Sequence, residues 1–264
     1  MKTDNLLLQE RHAHILAQLG SAGRVIAAQL AQELNVTEDT VRRDLRDLAA
    51  AGLCQKVYGG AVRMPGAPEA GSFTQRATRQ LGGKALLGTA AAALIAPGSV
   101  VFLDAGSSNL ALAEALPRTR LTVITNAPAI AARLLDQPHI ELIVIGGRIK
   151  QDIGASVGPT ALREIEAIRP DLYVLGACGV DPGAGVTAVD FEEAEFKRRV
   201  AARSRATLVL ATGDKLGAVA HYAVLPLSQL THLVVPGDTG DDLADACRAA
   251  GANVLRAALP EGSR

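Results

Sequence analysis

The 264-residue sequence predicts an α/β chain in two parts: a small winged helix-turn-helix module, then a Rossmann-like, mostly parallel, doubly wound domain. Three observations carry this. Residues 24–63, RVIAAQLAQELNVTEDTVRRDLRDLAAAGLCQKVYGGAVR, hold two short helical patterns around a tight polar turn, then a Gly-Gly turn between two strand-like pieces. Residues 64–72, MPGAPEAGS, are rich in Pro, Gly and Ala and read as a linker. Beyond them, short apolar runs alternate with helical patterns, the signature of a parallel sheet covered by helices. The expected boundaries are therefore 1–63, 64–72 and 73–264.

The first helix is expected over 5–19, where Leu8, His12, Ile15, Leu16 and Leu19 recur at helical spacing and Gly20 and Gly23 end it. The second spans 26–33, with Ala27, Leu30, Ala31 and Leu34 toward a small core and Ala28 and Ala31 suited to a close helix approach. Asn35 and Val36 make the turn. Thr37 is an N-cap whose hydroxyl can accept from an orphan amide, and Glu38 and Asp39 suit the positive end of the helix dipole. The third helix runs to Ala50, buries Val41, Leu45 and Leu48, and closes at Gly52.

That arrangement places the third helix in the major groove of DNA. Arginine can bridge two acceptors of guanine or clamp a phosphate, and threonine can meet a base or a thymine methyl. Thr37, Thr40, Arg42, Arg43 and Arg46 are thus candidates on the helix. Lys56 and Tyr58 lie on the wing, with Gly59 and Gly60 in its turn, where phosphates or the minor-groove edge would be met. The competing reading is a solvated helix face in which Arg42, Arg43 and Arg46 pair with Asp39, Asp44 and Asp47. The whole arrangement favours DNA. Net charge is zero, so affinity must be local and geometric.

In the larger part, strands are expected at 100–104, 121–126, 141–146, 172–177, 207–211 and 231–235, with a weaker one at 253–257. Their near-continuous Val, Ile and Leu content predicts burial on both faces. Ligands of such sheets sit beyond the carboxyl ends of the strands. There the sequence places Asp104-Ala-Gly-Ser-Ser-Asn109 before a helix, Asn126, Gly146-Gly147-Arg148, Gly179-Val180-Asp181 and Thr212-Gly213-Asp214-Lys215. Small residues, serine hydroxyls and a helix N-terminus together suit an anion. Each loop alone reads better as an ordinary turn, whereas the Asp104 loop and Lys215 taken together favour a ligand site.

Cys54, Cys178 and Cys247 fit neither a disulfide framework nor a zinc spacing, which predicts a reducing, cytoplasmic setting; no metal site and no cofactor are expected. The apolar stretch 85–95 is too short to span a bilayer, so no membrane partner is expected.

VTEDTVRRDLRDLAAAGLCQKVYGGAV closely resembles the signature of the DeoR family of bacterial transcription regulators. Lys56 and Tyr58 stand where the family commonly has Arg and His. FLDAGSSNLALAEAL, LTVITNAPAIA, LIVIGGRI, GPTA, LGACGVDPGAGVT and EEAEFKR resemble its effector domain in order and spacing, so the likeness covers most of the chain. That domain is similar in fold to ribose-5-phosphate isomerase and glucosamine-6-phosphate deaminase. The resemblance implies operator DNA and a phosphorylated sugar as partners, a homo-oligomer, and repression of a carbohydrate-catabolic operon. By position, Asp104, Gly106, Ser107, Ser108, Asn126, Gly179 and Lys215 fall on its ligand-site motifs. Gly147 joins them from the strand ends, and Lys84, expected just before the helix that leads into the first strand, from its likeness to the isomerases' phosphate-binding lysine. Departures are Thr212-Gly213-Asp214 where many members have Asp-Ser-Ser, and Asn109 where many have Thr.

The alternative is a sugar-phosphate isomerase or deaminase with a DNA-binding appendage, using Asp181 and Glu195 for proton transfer. Against it, Glu192, Glu193 and Glu195 read as a solvated helix start paired with Lys197, Arg198 and Arg199. No histidine accompanies them, and His139, His221 and His232 are scattered.

Overall fold

The computed structural model describes residues 8–22, 24–50, 54–62 and 72–258. The chain divides into two compact units, Met1–Gly71 and Ser72–Arg264. The expected helix start at Asn5, the breaker Gly23, the closing Gly52, and the linker up to Gly71 lie outside the described residues.

In the first unit α1 (Leu8–Ala22) precedes β1 (Arg24–Ile26), α2 (Ala27–Glu33), α3 (Glu38–Ala50), β2 (Gln55–Val57) and β3 (Gly60–Val62). α1 continues through Gly20 to Ala22, because packing outweighs the modest helix penalty of one glycine. α2 starts at Ala27, since Ile26 has extended backbone and belongs to β1. The wing is therefore three-stranded, in the order β1-β3-β2, and Val25 pairs with Ala61. Three residues are too few to show strand alternation in the sequence. Ile15, Leu19, Leu30, Leu34, Val41, Leu45 and Leu48 form the core. Ala27 and Ala31 take the buried positions of α2, whereas Ala28 is exposed and makes no close helix approach. Asn35 adopts φ 54°, the left-handed geometry that asparagine tolerates in a tight turn.

The second unit opens with α4 (Phe73–Ala77) and α5 (Leu81–Ala92). There follow β4 (Val100–Leu103), α6 (Ser107–Glu114), β5 (Leu121–Thr125), α7 (Pro128–Leu134), β6 (Ile140–Val144), β7 (Ile149–Lys150), β8 (Ala155–Ser156) and α8 (Pro159–Ile165). Then come β9 (Leu172–Leu175), β10 (Gly179–Asp181), β11 (Gly185–Ala188), α9 (Phe191–Arg203), β12 (Ala206–Leu210), β13 (Tyr222–Leu225), β14 (His232–Val235), α10 (Asp241–Ala249) and β15 (Asn253–Arg256).

All seven expected runs are strands of one parallel sheet, ordered β15-β14-β12-β9-β4-β5-β6. The chain winds outward from β4 through β5 to β6, and from β9 through β12 and β14 to β15. Strand order thus reverses between β4 and β9, the point where such sheets open a crevice at their carboxyl ends. Burial on both faces holds for β9 and fails for β6, where Glu141, Ile143 and Val144 are exposed, because β6 is an edge strand. Two smaller pieces have no counterpart in the sequence reading. The β7–β8 hairpin and the antiparallel β10–β11–β13 sheet are built from two- to four-residue strands, too short for a periodic signal.

Candidate functional site

On α3 the structure separates the arginines. Arg42 lies 2.7 Å from Glu38 and 3.9 Å from Asp39. Arg43 and Arg46 are exposed and, among the described residues, make no ion pair. Asp44, expected to pair along the helix, is instead buried at 1% exposure and holds Arg11 of α1 through two hydrogen bonds of 2.8 and 3.1 Å. His12 Nε2 lies 3.5 Å away. The solvated-face pairing thus fails at its central acid, which sits on the same side as Val41, Leu45 and Leu48. Thr37 is the cap: its hydroxyl accepts from Thr40 N at 3.2 Å and shares a 2.8 Å bond with the Thr40 hydroxyl.

The wing presents Lys56 and a fully exposed Tyr58. Gly59 makes the turn at φ +78°. Gly60 is the first residue of β3 rather than part of the turn, and it is glycine for a different reason. A Cβ there would lie 2.0 Å from the Val25 carbonyl oxygen, so β3 can meet β1 only without a side chain.

At the carboxyl ends of the sheet, Asp104 is 1% exposed and its oxygens are occupied. Oδ1 accepts from Ala105 N at 2.8 Å, and Oδ2 accepts from the Tyr173 hydroxyl at 2.9 Å and Gly176 N at 3.0 Å. Asp104 therefore braces the loop in front of α6 and the turn after β9 across the switch point. Lys197 reaches it from α9 at 3.4 Å, lies 2.6 Å from Glu193, and donates to the Gly176 carbonyl. Burial pulls the Lys197 ammonium down, but Asp104 and Glu193 outweigh it and hold the group above its ordinary range. Burial, then Asp104, push the Tyr173 phenol well up. Glu193 and Lys197 are thus core residues, not the solvated helix start expected for this segment. Their periodicity carried the signal, since both share the buried face of α9 with Ala194, Phe196 and Val200.

Around this brace lie polar atoms that protein groups leave unmatched. The hydroxyls of Ser107, Ser108 and Thr212 and the Oδ1 of Asn126 are buried with no hydrogen-bond partner. Their residues are only 5%, 2%, 2% and 1% exposed. They follow β4, β12 and β5, and Ser107 and Ser108 open α6, where orphan amides and the helix dipole favour an anion. Gly106 has extended backbone and room for a Cβ, its nearest neighbour being 3.7 Å away, so nothing in the protein demands glycine there. Lys215 is 6% exposed, and its carbonyl accepts from Val180 N at 2.9 Å, which joins the fifth-strand loop to β10.

The other expected site residues are placed differently. Lys84 lies within α5 rather than before it, and its ammonium donates to the Arg76 and Arg79 carbonyls at 2.5 and 2.8 Å. Gly179 is buried where a Cβ would meet the Ala218 carbonyl oxygen at 2.2 Å. Gly147 adopts φ +126° beside Thr160 and Ser156. Asp181 accepts from Gly183 N and Ala184 N and so shapes the β10–β11 turn. Asn109, noted as a departure, donates to the Asp104 and Val174 carbonyls at 2.9 and 3.0 Å and stitches α6 to the strand ends. Among the described residues no cluster of potential ligands would hold a metal ion, and no helix is long and apolar enough to cross a membrane.

Residues 11–65 match the model of the DeoR-like helix-turn-helix domain, and residues 79–236 that of the DeoR C terminal sensor domain. An uncharacterized HTH-type transcriptional regulator of Escherichia coli, YgbI, is 32% identical over 227 residues, covering 85% of this chain and 88% of that protein. The glycerol-3-phosphate regulon repressor of Escherichia coli is 28% identical over 209 residues, 79% of this chain and 82% of that one. Among solved structures, ribose 5-phosphate isomerase A from Neisseria gonorrhoeae aligns with a TM-score of 0.39 and 15% identity, over 55% of this chain and 56% of that one. With a helix-turn-helix model and a sensor model matched in order along its length, the chain belongs to the DeoR family of DNA-binding transcription regulators.

Proposed function

We propose that the protein is a cytoplasmic, non-enzymatic repressor of a carbohydrate-catabolic operon, released or engaged by a phosphorylated sugar bound at the switch point of its sensor unit. The single observation that carries the ligand is the set of four buried, unmatched polar atoms that follow the carboxyl ends of β4, β5 and β12. Leaving such a group without a partner costs about 1–3 kcal/mol, so four at neighbouring strand ends favour a hydrogen-bonding ligand there. A phosphate suits the serine hydroxyls and the α6 amides. The relative named for a glycerol-3-phosphate regulon supports the same ligand class.

In this reading Arg43 and Arg46 enter the major groove, Thr40 and Arg42 flank them, and Lys56 and Tyr58 meet the backbone beside it. Residues 64–72 link the two functions. A symmetric homo-oligomer, dimer or tetramer, presents paired modules to paired half-sites. The effector binds one conformation of the sensor better and shifts the DNA-competent population. A coupling of about 1–3 kcal/mol gives roughly a 5–150-fold change in operator affinity. A regulator rather than an isomerase is favoured by the carboxylates. Of the two carboxylates that an isomerase would use, Asp181 is engaged by its own turn, where it accepts from Gly183 N and Ala184 N, and Glu195 is half-buried on α9 with no histidine beside it in sequence.

Fluorescence anisotropy on DNA from directly upstream of the gene's own operon, with excess competitor DNA and a panel of sugar phosphates, tests this. Specific binding altered by one compound is the expected result. Turnover of ribose 5-phosphate or an amino-sugar phosphate, without specific DNA binding, would overturn it.

A further inference from the structure

Asn126 adds a chemical constraint that a phosphate alone does not meet. Its side-chain amide is held in one orientation. Nδ2 donates to the Ser156 carbonyl at 3.1 Å, while Ser156 N donates back to the Asn126 carbonyl at 2.8 Å. Turning the amide over would set Oδ1 against the Ser156 oxygen, so the hydrogen-bond network fixes which atom is which. The neighbouring Thr125 hydroxyl donates to the Leu103 carbonyl at 2.6 Å and accepts from Ala127 N at 3.1 Å, which pins the turn itself. What remains is one acceptor, Oδ1, buried and without a donor. A carbonyl oxygen accepts only. It repels phosphate oxygens and calls for an O–H or N–H.

We propose that Asn126 is a specificity-determining residue that reads a hydrogen-bond donor on the effector, a hydroxyl or amine separate from its phosphate. The inference rests on the sugar-phosphate reading above and adds to it which protein atom meets the part of the effector away from its phosphate. The effector must be a hydroxylated or aminated phosphate ester, and a simple alkyl phosphate or inorganic phosphate occupies only the α6 end. The unmatched hydroxyls of Ser107 and Ser108 can donate and so serve the anion, whereas Asn126 Oδ1 cannot. The two ends of the ligand are therefore recognised by opposite hydrogen-bond polarity. Because the amide is fixed before binding, it can discriminate by leaving itself unmatched whenever the donor is missing.

The test is isothermal titration of the full chain with inorganic phosphate, n-propyl phosphate, glycerol 3-phosphate, ribose 5-phosphate, fructose 1-phosphate, fructose 6-phosphate and glucosamine 6-phosphate. At least one hydroxylated compound should bind about tenfold or more tighter than n-propyl phosphate. In Asn126→Ala that ratio should collapse toward one while n-propyl phosphate still binds. Loss of the Ser156 brace alone would weaken all compounds together and leave the ratio unchanged, which would overturn the proposal. So would wild-type protein that binds n-propyl phosphate as well as every hydroxylated compound, although the phosphate reading would then stand. No binding of any phosphate compound would remove both. Should Asn126→Ala not fold, the wild-type ratios and Asn126→Ser decide.

Discussion

Lys197 Nζ on α9 lies 3.4 Å from Asp104 Oδ2 at the end of β4, and 2.6 Å from Glu193 one helical turn back. One buried ammonium thus joins a helix to the two loops that meet at the switch point of the sheet. The loop in front of α6 keeps its shape through this contact, the Tyr173 hydroxyl and the Gly176 amide.

Lys197→Met should leave two buried carboxylates facing each other without a cation. Breaking a buried pair by removing one partner costs about 3–5 kcal/mol. Denaturant unfolding of the sensor unit should register a loss of that size. Because the loop loses its brace, any effector response should vanish with it. A variant as stable as the parent would show that the cluster contributes nothing to the fold.

The hydroxyls of Ser107 and Ser108 have the opposite relation to stability. Replacing a buried, unmatched hydroxyl with hydrogen removes a desolvation penalty, so Ser108→Ala should be neutral or stabilising without ligand. The same change should weaken binding of a phosphate ester. Measured melting temperatures with and without fructose 1-phosphate or glycerol 3-phosphate should therefore move in opposite directions relative to the parent.

Arg43→Ala should reduce operator affinity by roughly 5–150-fold, the worth of one good base or phosphate contact of about 1–3 kcal/mol. Lys56→Ala should weaken binding evenly across sequences and lower the salt slope by about 1. Neither should change ligand titrations. Equal operator affinity for Arg43→Ala and the parent would remove that residue from the interface.

Gly60→Ala tests the wing without touching DNA-facing groups. Its Cβ would collide with the Val25 carbonyl carbon and oxygen, and backbone cannot swing aside as a side chain does. The β1–β3 pairing should open and operator binding should be lost. Gly59→Ala meets no atoms and bears only the strain of φ +78°, about 1–2 kcal/mol. It should keep most of the affinity.

Lys150 lies 2.6 Å from Asp190 and 3.0 Å from Glu192, tying the β7–β8 hairpin to the start of α9. Hydrogen bonding to Asp190 leads the causes that raise Lys150 above its ordinary value, and burial only partly opposes them. Burial pushes the Asp190 carboxyl up, but Lys150 and the Glu193 amide outweigh it and hold it low. The Asp190 contribution is therefore present above the unfolded carboxylate value near ~4, and lost as pH falls through the lower folded value. The Lys150 contribution is present below ~10.4 and lost as pH rises through its raised folded value. Lys150→Met should lower the melting temperature between about pH 5 and 9 and make little difference at the acid end. An equal loss at every pH would assign the effect to packing.

The sequence by itself determined the secondary structure wherever a pattern had length. Seven apolar runs became seven strands, and the stripe of Val41, Leu45 and Leu48 became the buried face of α3. Hydrophobic periodicity is local, so it survives without knowledge of the fold. The order of strands and loops likewise put Ser107, Ser108 and Asn126 just beyond expected strands, which is where they stand. Only the tertiary structure decided which charges face inward. Asp44 looked like a neighbour of Arg43 and Arg46 but belongs to Arg11, 33 residues earlier. Glu193 and Lys197 looked solvated but close over Asp104, and Lys84 turns to the carbonyls before α5. Partners of a charge are chosen by distance in space and by the cost of burial, and neither is written in the order of residues. The same holds for Asn126. Its identity was legible, but the polarity it presents to a ligand depends on Ser156, which the fold alone brings beside it.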